Sequence, residues 1–266
     1  MRFFVFLIKF YPMKIALFQT KLAWENPELN RTYIEEYFLN EDESFDLFVL
    51  PEMFTSGFTM NPSAVAETME GETINWMKSL ALEKKCAICG SLVISENSKF
   101  YNRFVFVHPR GKIDFYNKRH LFTLAGEDKV YTKGTEKVIV NYNNWKICLQ
   151  ICYDLRFPVF ARNVENYDLL FYVANWPKPR INAWDALLKS RAIENMCYTI
   201  GVNRIGEDAN KLEYPGHSQV IDFLGNQVIN CENESGVYII NLDKQAQLEA
   251  REKFNFLNDR DDFSLI

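Results

Sequence analysis

Short apolar runs alternate along this chain with stretches whose apolar residues recur every three or four positions. The first pattern reads as strands buried on both faces, the second as amphipathic helices. KIALFQT (14–20), FDLFVLPE (45–52), CAICGSLVIS (86–95), NWKICLQIC (144–152), YDLLFYVANW (167–176), YTIGVNRIG (198–206) and GVYIINLD (236–243) are the expected strands. FYNRFVFVHPRGKIDFYNK (100–118) predicts a hairpin turning at Pro109-Arg110-Gly111, and HSQVIDFLGNQVIN (217–230) another around Leu224-Gly225-Asn226. Helices are expected from Asn26-Pro27 to about Leu39, over 73–85, near Pro158, and over 181–197. In the last, Trp184, Leu187, Leu188, Ala192 and Met196 share one broad face.

Strand and helix alternation interrupted by hairpins predicts mixed sheets covered by helices. Strands apolar on both faces need partners on both, so the pattern points to a layered α/β sandwich with two sheets face to face and helices outside. No repeat, low-complexity tract or Pro/Gly/Ser linker divides the chain, and residues 13–266 read as one continuous domain.

The first twelve residues, MRFFVFLIKFYP, imitate a signal peptide only weakly. The run from Phe3 to Ile8 is shorter than a secretory apolar core, Lys9 interrupts it, and no small-residue cleavage site follows. It is also too short to span a bilayer. Met13 opens the strand-like MKIALFQT, so residues 1–12 read as an upstream extension arising from start-codon choice. Composition adds exclusions. With 48% hydrophobic and 24% charged residues and a net charge of −5 spread without blocks, nothing suggests nucleic acid or a membrane surface as partner. Six cysteines in 266 residues make no disulfide scaffold and point to a reduced, cytoplasmic setting. The 22 phenylalanines read as core filling.

Three polar residues stand where expected strands end: Glu52 after FDLFVLP, Lys118 after GKIDFYN and Cys152 after KICLQI. Reactive groups of α/β proteins collect at such ends, where loops open a crevice. Singly, each has an ordinary reading: a solvated strand end, a surface lysine, an inert core cysteine. Together they form a chemical set. A thiol attacks as thiolate, and a neighbouring cation lowers its pKa. A carboxylate can take the thiol proton and return it to a leaving group, and a cation or backbone N–H can hold the developing oxyanion. A Cys–His pair using His108, His120 or His217 stays open as an alternative. The C-x-x-C of Cys86 and Cys89 lies in an expected strand, where residues three apart face opposite ways, so both read as core. Cys148, Cys197 and Cys231 read likewise.

PEMF (51–54), NKRHLF (117–122) and ICYDLRFP (151–158) occur in this order, with 66 residues from Glu52 to Lys118 and 34 from Lys118 to Cys152. They resemble the three signature segments of the nitrilase, or carbon–nitrogen hydrolase, superfamily, and the resemblance extends from about Met13 to the C-terminal end. VANWPKPR (173–180) and SRAIENMCYTIGVNRIG (190–206) look like its ω-amidase branch, of the 2-oxoglutaramate amidase type. The resemblance implies a four-layer α-β-β-α sandwich, commonly a homodimer joined through the layer beside the active site, with a Glu–Lys–Cys triad and no metal or organic cofactor. Carried onto this chain, Cys152 is the implied nucleophile, Glu52 the general base and then acid, and Lys118 the oxyanion partner together with the Tyr153 N–H. Glu127 is the implied second glutamate, or else a solvated loop acid.

The implied substrate is a small-molecule amide, 2-oxoglutaramate or 2-oxosuccinamate, hydrolysed to the oxo acid and ammonia. Salvage of glutamine-transaminase products, with methionine regeneration, is the implied context. Arg156 could anchor the substrate α-carboxylate through its planar fork or pair structurally with Asp154 or another carboxylate, and Arg180 is a second candidate cation. Phe54 and Trp176 are candidate apolar walls or plain core. Other readings are a different nitrilase-type amidase or N-carbamoyl amino acid hydrolase, a non-catalytic metabolite-binding or interaction module, and a thiol-redox protein using Cys86 and Cys89.

Overall fold

The computed structural model describes residues 12–264, so the expected upstream extension lies, but for Pro12, outside the described residues. From Met13 onward the chain builds two six-stranded sheets. β1 (Met13–Gln19), β2 (Leu47–Val49), β3 (Ala87–Glu96), β4 (Lys99–Val107) and β5 (Ile113–Asn117) lie side by side in chain order. The second sheet collects β6 (Ile139–Tyr142), β7 (Trp145–Ile151), β8 (Leu169–Ala174) and β9 (Tyr198–Asn203). A short ribbon of β10 (Ile205–Glu207) and β11 (Glu213–Pro215) stands apart, and β12 (Gln219–Ile221) and β13 (Gln227–Asn230) then extend the second sheet beyond β9. β14 (Gly236–Leu242) returns to the first sheet, antiparallel to β1, with Met13 opposite Leu242. Each sheet has a parallel centre, β1-β2-β3 in one and β7-β8-β9 in the other.

Strand alternation explains why these segments are apolar throughout. On β1, Ile15 and Leu17 face the second sheet while Ala16 and Phe18 face outward; on β8, Leu169, Phe171 and Val173 face in while Leu170, Tyr172 and Ala174 face out. The outward set of the first sheet is covered by α1 (Pro27–Asn40) and α3 (Glu72–Lys84), through Ile34, Phe38, Ile74 and Met77. The remaining helices before the second outer layer are single turns: α2 (Pro62–Val65), α4 (Glu127–Val130) and α5 (Pro158–Ala161). The second sheet is covered by α6 (Ile181–Asn195) through Trp184, Leu188 and Ala192. The result is the α-β-β-α sandwich. Among the described residues, no helix is long and apolar enough to cross a membrane.

Several expectations need correction. The strand expected over 45–52 spans only Leu47–Val49, because Pro51 has no N–H to give the ladder and the chain turns there. The helix near Pro158 is one turn. On α6, Leu187 is only partly buried, Met196 caps the helix with φ of 47°, and the buried face includes Arg191 and Asn195. Strand β6 and helix α7 (Lys244–Phe254) were not evident from pattern. The α7 side chains that pack inward are Lys244, Gln247 and Ala250, which carry no apolar signal. The C-x-x-C thiols diverge as expected, with Cys86 in the outer core and Cys89 in the core between sheets.

Candidate active site

At the shared end of the two sheets, three chain reversals gather polar side chains. After Leu50-Pro51 the first reversal puts Met53 at φ of 45° and Glu52 out of solvent entirely. Lys118 leaves β5 with its backbone held on both sides: its N–H donates to Asn102 O at 2.9 Å and its carbonyl accepts from Gly134 N at 2.9 Å. Cys152 follows β7 in the left-handed region, φ of 42°, a conformation that costs a residue with a Cβ about 1 kcal/mol. A 3₁₀ turn, Cys152–Arg156, begins at that residue and turns the thiol toward the other two. Such strain persists only where surrounding bonds over-determine it.

Those bonds come largely from Asp154, whose carboxylate is fully buried. It accepts from Ile151 N at 2.9 Å, Tyr116 Oη at 2.7 Å, and His120 N and Nδ1 at 3.0 and 2.7 Å. Both oxygens are occupied, so the expected alternative pairing of Arg156 with Asp154 does not form. The histidines are held by aspartates, His120 by Asp154, His108 by Asp114 and His217 by Asp185, and none of the three lines the cavity onto which Cys152 opens, so the structure brings no Cys–His pair together there.

Lys118 Nζ donates to Glu52 Oε1 at 2.9 Å and to the Glu127 oxygens at 3.0 and 2.9 Å. Glu127 is therefore no solvated loop acid; like Glu52 and Lys118 it is wholly buried. Asn102 Nδ2 donates to Glu52 Oε1 at 2.8 Å and Glu127 Oε1 at 3.1 Å, and Phe122 N donates to Glu127 Oε2 at 2.6 Å. Asn175 links this cluster to the thiol. Its N–H and Nδ2 donate to Glu52 Oε2 and Glu52 O at 2.8 and 2.7 Å, and its carbonyl lies 4.0 Å from Cys152 Sγ. Sequence reasoning missed Asn102 and Asn175. Their signal was a lone amide inside a run otherwise built for a core.

Electrostatics set the resting proton positions. Burial by itself would depress the Lys118 ammonium, but Glu127 and Glu52 outweigh it and hold the group above its ordinary pKa. Burial raises the Glu127 carboxyl, opposed by Lys118. Burial, then the Glu52 charge, pushes the Cys152 thiol well above its ordinary value, with Lys118 pulling the other way. The expectation of a cation-lowered thiol pKa is thus reversed. Two carboxyl groups surround one ammonium, and this surrounding favours the neutral form of the Cys152 thiol.

Cys152 opens into a cavity of about 590 Å³. Trp24, Phe58, Phe122, Tyr153, Trp176 and Tyr214 give it aromatic walls, and Arg156 and Arg180 bring positive charge. The Arg156 guanidinium lies 5.1 Å from the Trp176 ring and that of Arg180 5.1 Å from the Phe122 ring. Among the described residues neither arginine forms an ion pair. The acids of the lining are engaged: Glu25 with Thr59 Oγ1, and Asp208 with Tyr214 Oη at 2.8 Å. Phe54 must be corrected. It is fully buried behind the first sheet, its ring 6.3 Å from that of Trp76, and takes no part in the cavity.

Residues 14–251 match the carbon–nitrogen hydrolase family model. The chain is 42% identical over 254 residues to omega-amidase YafV of Escherichia coli (strain K12), covering 95% of this chain and 98% of that protein. It is 31% identical over 250 residues to 2-oxoglutaramate amidase of Bacillus subtilis (strain 168), covering 92% and 96%. The crystal structure of a CN-hydrolase superfamily protein from Xanthomonas campestris, with an arsenic adduct in its active site, superposes with a TM-score of 0.93. It is 39% identical and covers 96% of this chain and 99% of that one.

Proposed function

The chain belongs to the carbon–nitrogen hydrolase family, and we propose that it is an ω-amidase converting 2-oxoglutaramate or 2-oxosuccinamate to the 2-oxo acid and ammonia. The observation that carries this reading is the contact of Lys118 with Glu52 at 2.9 Å beside Cys152, at one end of a cavity that presents Arg156 and Arg180. Two arginines that form no ion pair among the described residues favour an anionic group on the substrate. The names of the Escherichia coli and Bacillus subtilis relatives support the same substrate class.

The chemistry follows from the proton positions. Cys152 Sγ attacks the terminal amide carbon while Glu52 takes its proton, so a free thiolate never has to accumulate. The carbonyl electrons move to oxygen, where Lys118 Nζ and the Tyr153 N–H, at the start of the 3₁₀ turn, meet the charge. A lysine has three N–H donors, and its two contacts to Glu127 can share one, leaving another for the oxyanion. Collapse breaks the C–N bond, and Glu52 returns the proton to the departing nitrogen as ammonia. Water then attacks the thioester, giving its proton to Glu52, and the C–S bond breaks with the thiol reprotonated by Glu52. Arg156, seconded by Arg180, takes the α-carboxylate, and Trp176 bounds the methylene segment.

The test is ammonia release from 2-oxoglutaramate, with glutamine, asparagine and an N-carbamoyl amino acid as comparators, for the wild type and Cys152→Ala. Strong preference for the oxo amide, abolished in a folded Cys152→Ala protein, is expected. Equal turnover by that variant would remove the nucleophile, and preference for the carbamoyl compound would move the protein to another branch. We further place the protein in the reducing cytoplasm, since all six cysteines are free thiols. A homodimer through the layer beside the site is supported by Val159, Ile193 and Phe263, which expose apolar surface next to α5 and α6; light scattering would give the mass.

A further inference from the structure

Asp154 stands two residues after Cys152, and its carboxylate holds residues two before and two after Lys118. Tyr116 Oη donates to it at 2.7 Å, His120 N at 3.0 Å and His120 Nδ1 at 2.7 Å. Tyr116 Oη in turn accepts from Arg119 N at 3.0 Å, so the segment on both sides of the lysine is tied to one buried anion. The fourth bond, from Ile151 N at 2.9 Å, ties the same anion to the residue before the nucleophile. The His120 ring is also stacked at 3.8 Å and 5° on Phe157, which closes the far end of the turn.

We propose that Asp154 is a positioning residue that sets the distance between the Cys152 nucleophile and the Lys118 oxyanion partner by clasping both chain segments at once. This rests on the roles proposed above for Cys152 and Lys118. Four donors converge on two oxygens, which matches the acceptor capacity of an ionised carboxylate and of no neutral side chain of that size. Along the chain Lys118 and Cys152 are 34 positions apart, so local covalent geometry does not fix their separation. Their own strands, β5 and β7, belong to different sheets. Sheet-to-sheet packing is apolar and tolerant of small slides, whereas four short charge-assisted bonds are not. The left-handed conformation at Cys152 is held by the same anion, because Asp154 fixes the turn on which that conformation depends.

The experiment compares wild type, Asp154→Asn, Tyr116→Phe and Cys152→Ala on 2-oxoglutaramate. Sites are counted by stoichiometric alkylation of Cys152 and the fold is followed by circular dichroism. An asparagine at 154 faces at least two of the four donors with an N–H₂ group. For Asp154→Asn, kcat per counted site is expected to fall about 100-fold, the scale of a 1 Å misplacement of reacting groups, with KM within about threefold of wild type. Tyr116→Phe removes the hydroxyl that donates to Asp154 and accepts from Arg119 N, leaving the other three donors on the carboxylate, and about a tenfold fall in kcat with unchanged KM is expected. A merely structural role would lower the number of competent sites and leave kcat per site alone, and that result overturns the proposal. If Asp154→Asn does not fold, a normal kcat per site in Tyr116→Phe overturns it equally. Normal kcat in both variants beside an inactive Cys152→Ala overturns the positioning role alone. Full activity of Cys152→Ala overturns the nucleophile and the clasp with it.

Discussion

Lys118 and Glu127, nine residues apart, meet with both carboxylate oxygens within 3.0 Å of the ammonium. In the proposed mechanism Glu127 does what Glu52 alone could not: it keeps the lysine charged and aimed while Glu52 exchanges a proton. The arrangement is a buried cluster of two carboxyl groups around one ammonium. Its stability depends on every member, since a buried charge that loses its partner is far costlier than the intact set is favourable.

Replacing Lys118 by Met is expected to lower kcat by about 10³-fold through loss of oxyanion stabilisation. It should also destabilise the fold by about 3 kcal/mol at neutral pH, because Glu52 and Glu127 are left facing each other unscreened. In that variant Glu127, already raised by burial, loses the ammonium that opposes the rise, so its folded-state pKa climbs further above the unfolded value. The contribution of Glu127 is then present below about pH 4.3 and lost as pH rises through the folded value. The deficit relative to wild type should accordingly be smaller at about pH 5 than at about pH 8. Urea midpoints at both pH values measure this, and equal deficits would contradict it.

Alkaline pH should weaken the fold through its thiols. Burial raises Cys86, Cys197 and Cys231 to about 12, and puts Cys89 and Cys148 above their ordinary range. An unfolded thiol ionises near about 8.5, so the folded state holds more protons above that pH. The stability these thiols contribute is complete below the unfolded value and lost as pH rises toward the folded one, at about 1.4 kcal/mol per thiol per pH unit in between. Thermal unfolding under reducing conditions should show a flat Tm up to about pH 8.5 and a steep decline beyond. A level Tm up to about pH 10 would refute the burial argument.

Arg156→Ala is expected to raise KM for 2-oxoglutaramate by about 10- to 100-fold, the worth of a charge-assisted fork to a carboxylate, with a smaller effect on kcat. A neutral amide of similar length supplies the control. Its kinetics should change little, and Arg156→Lys should recover only part of the loss. Equal damage to both substrates would mean that Arg156 shapes the cavity wall rather than reading charge.

Gly134→Ala tests the support beneath Lys118. A Cβ there would stand 2.1 Å from Asn117 O and 2.8 Å from Asn117 Cβ, and backbone must move to admit it. A loss of about 1–3 kcal/mol is expected from such overpacking. Because Gly134 N also donates to Lys118 O at 2.9 Å, activity well below the unfolding temperature should fall as well. Normal stability would show that the Lys118 loop is more pliant than its bonds suggest.

The α7 helix illustrates why some elements escaped the pattern. Its inward side chains are Lys244, Gln247 and Ala250, and Gln247 Nε2 donates to Asp168 O at 2.8 Å. A helix seated by polar contacts leaves no apolar stripe to read. Phe54 and Trp176 make the opposite point. Both are large aromatics near a motif, yet one is sealed behind a sheet and the other borders the cavity. Nothing in their local sequence distinguishes them.

What the sequence by itself determined is whatever the backbone repeats locally. Side chains alternate every second residue on a strand, so Ile147, Leu149 and Ile151 had to share a face opposite Cys148, and the two-sheet sandwich followed. The placement of Glu52, Lys118 and Cys152 at strand ends was legible for the same reason. Only the tertiary structure decided that Glu127 would grip Lys118, that Asp154 would hold His120 rather than Arg156, and that burial and Glu52 would outweigh Lys118 at the Cys152 thiol. Each of these depends on burial and on partners far away in the chain, and the energy of a charge is set by everything around it rather than by its neighbours in sequence.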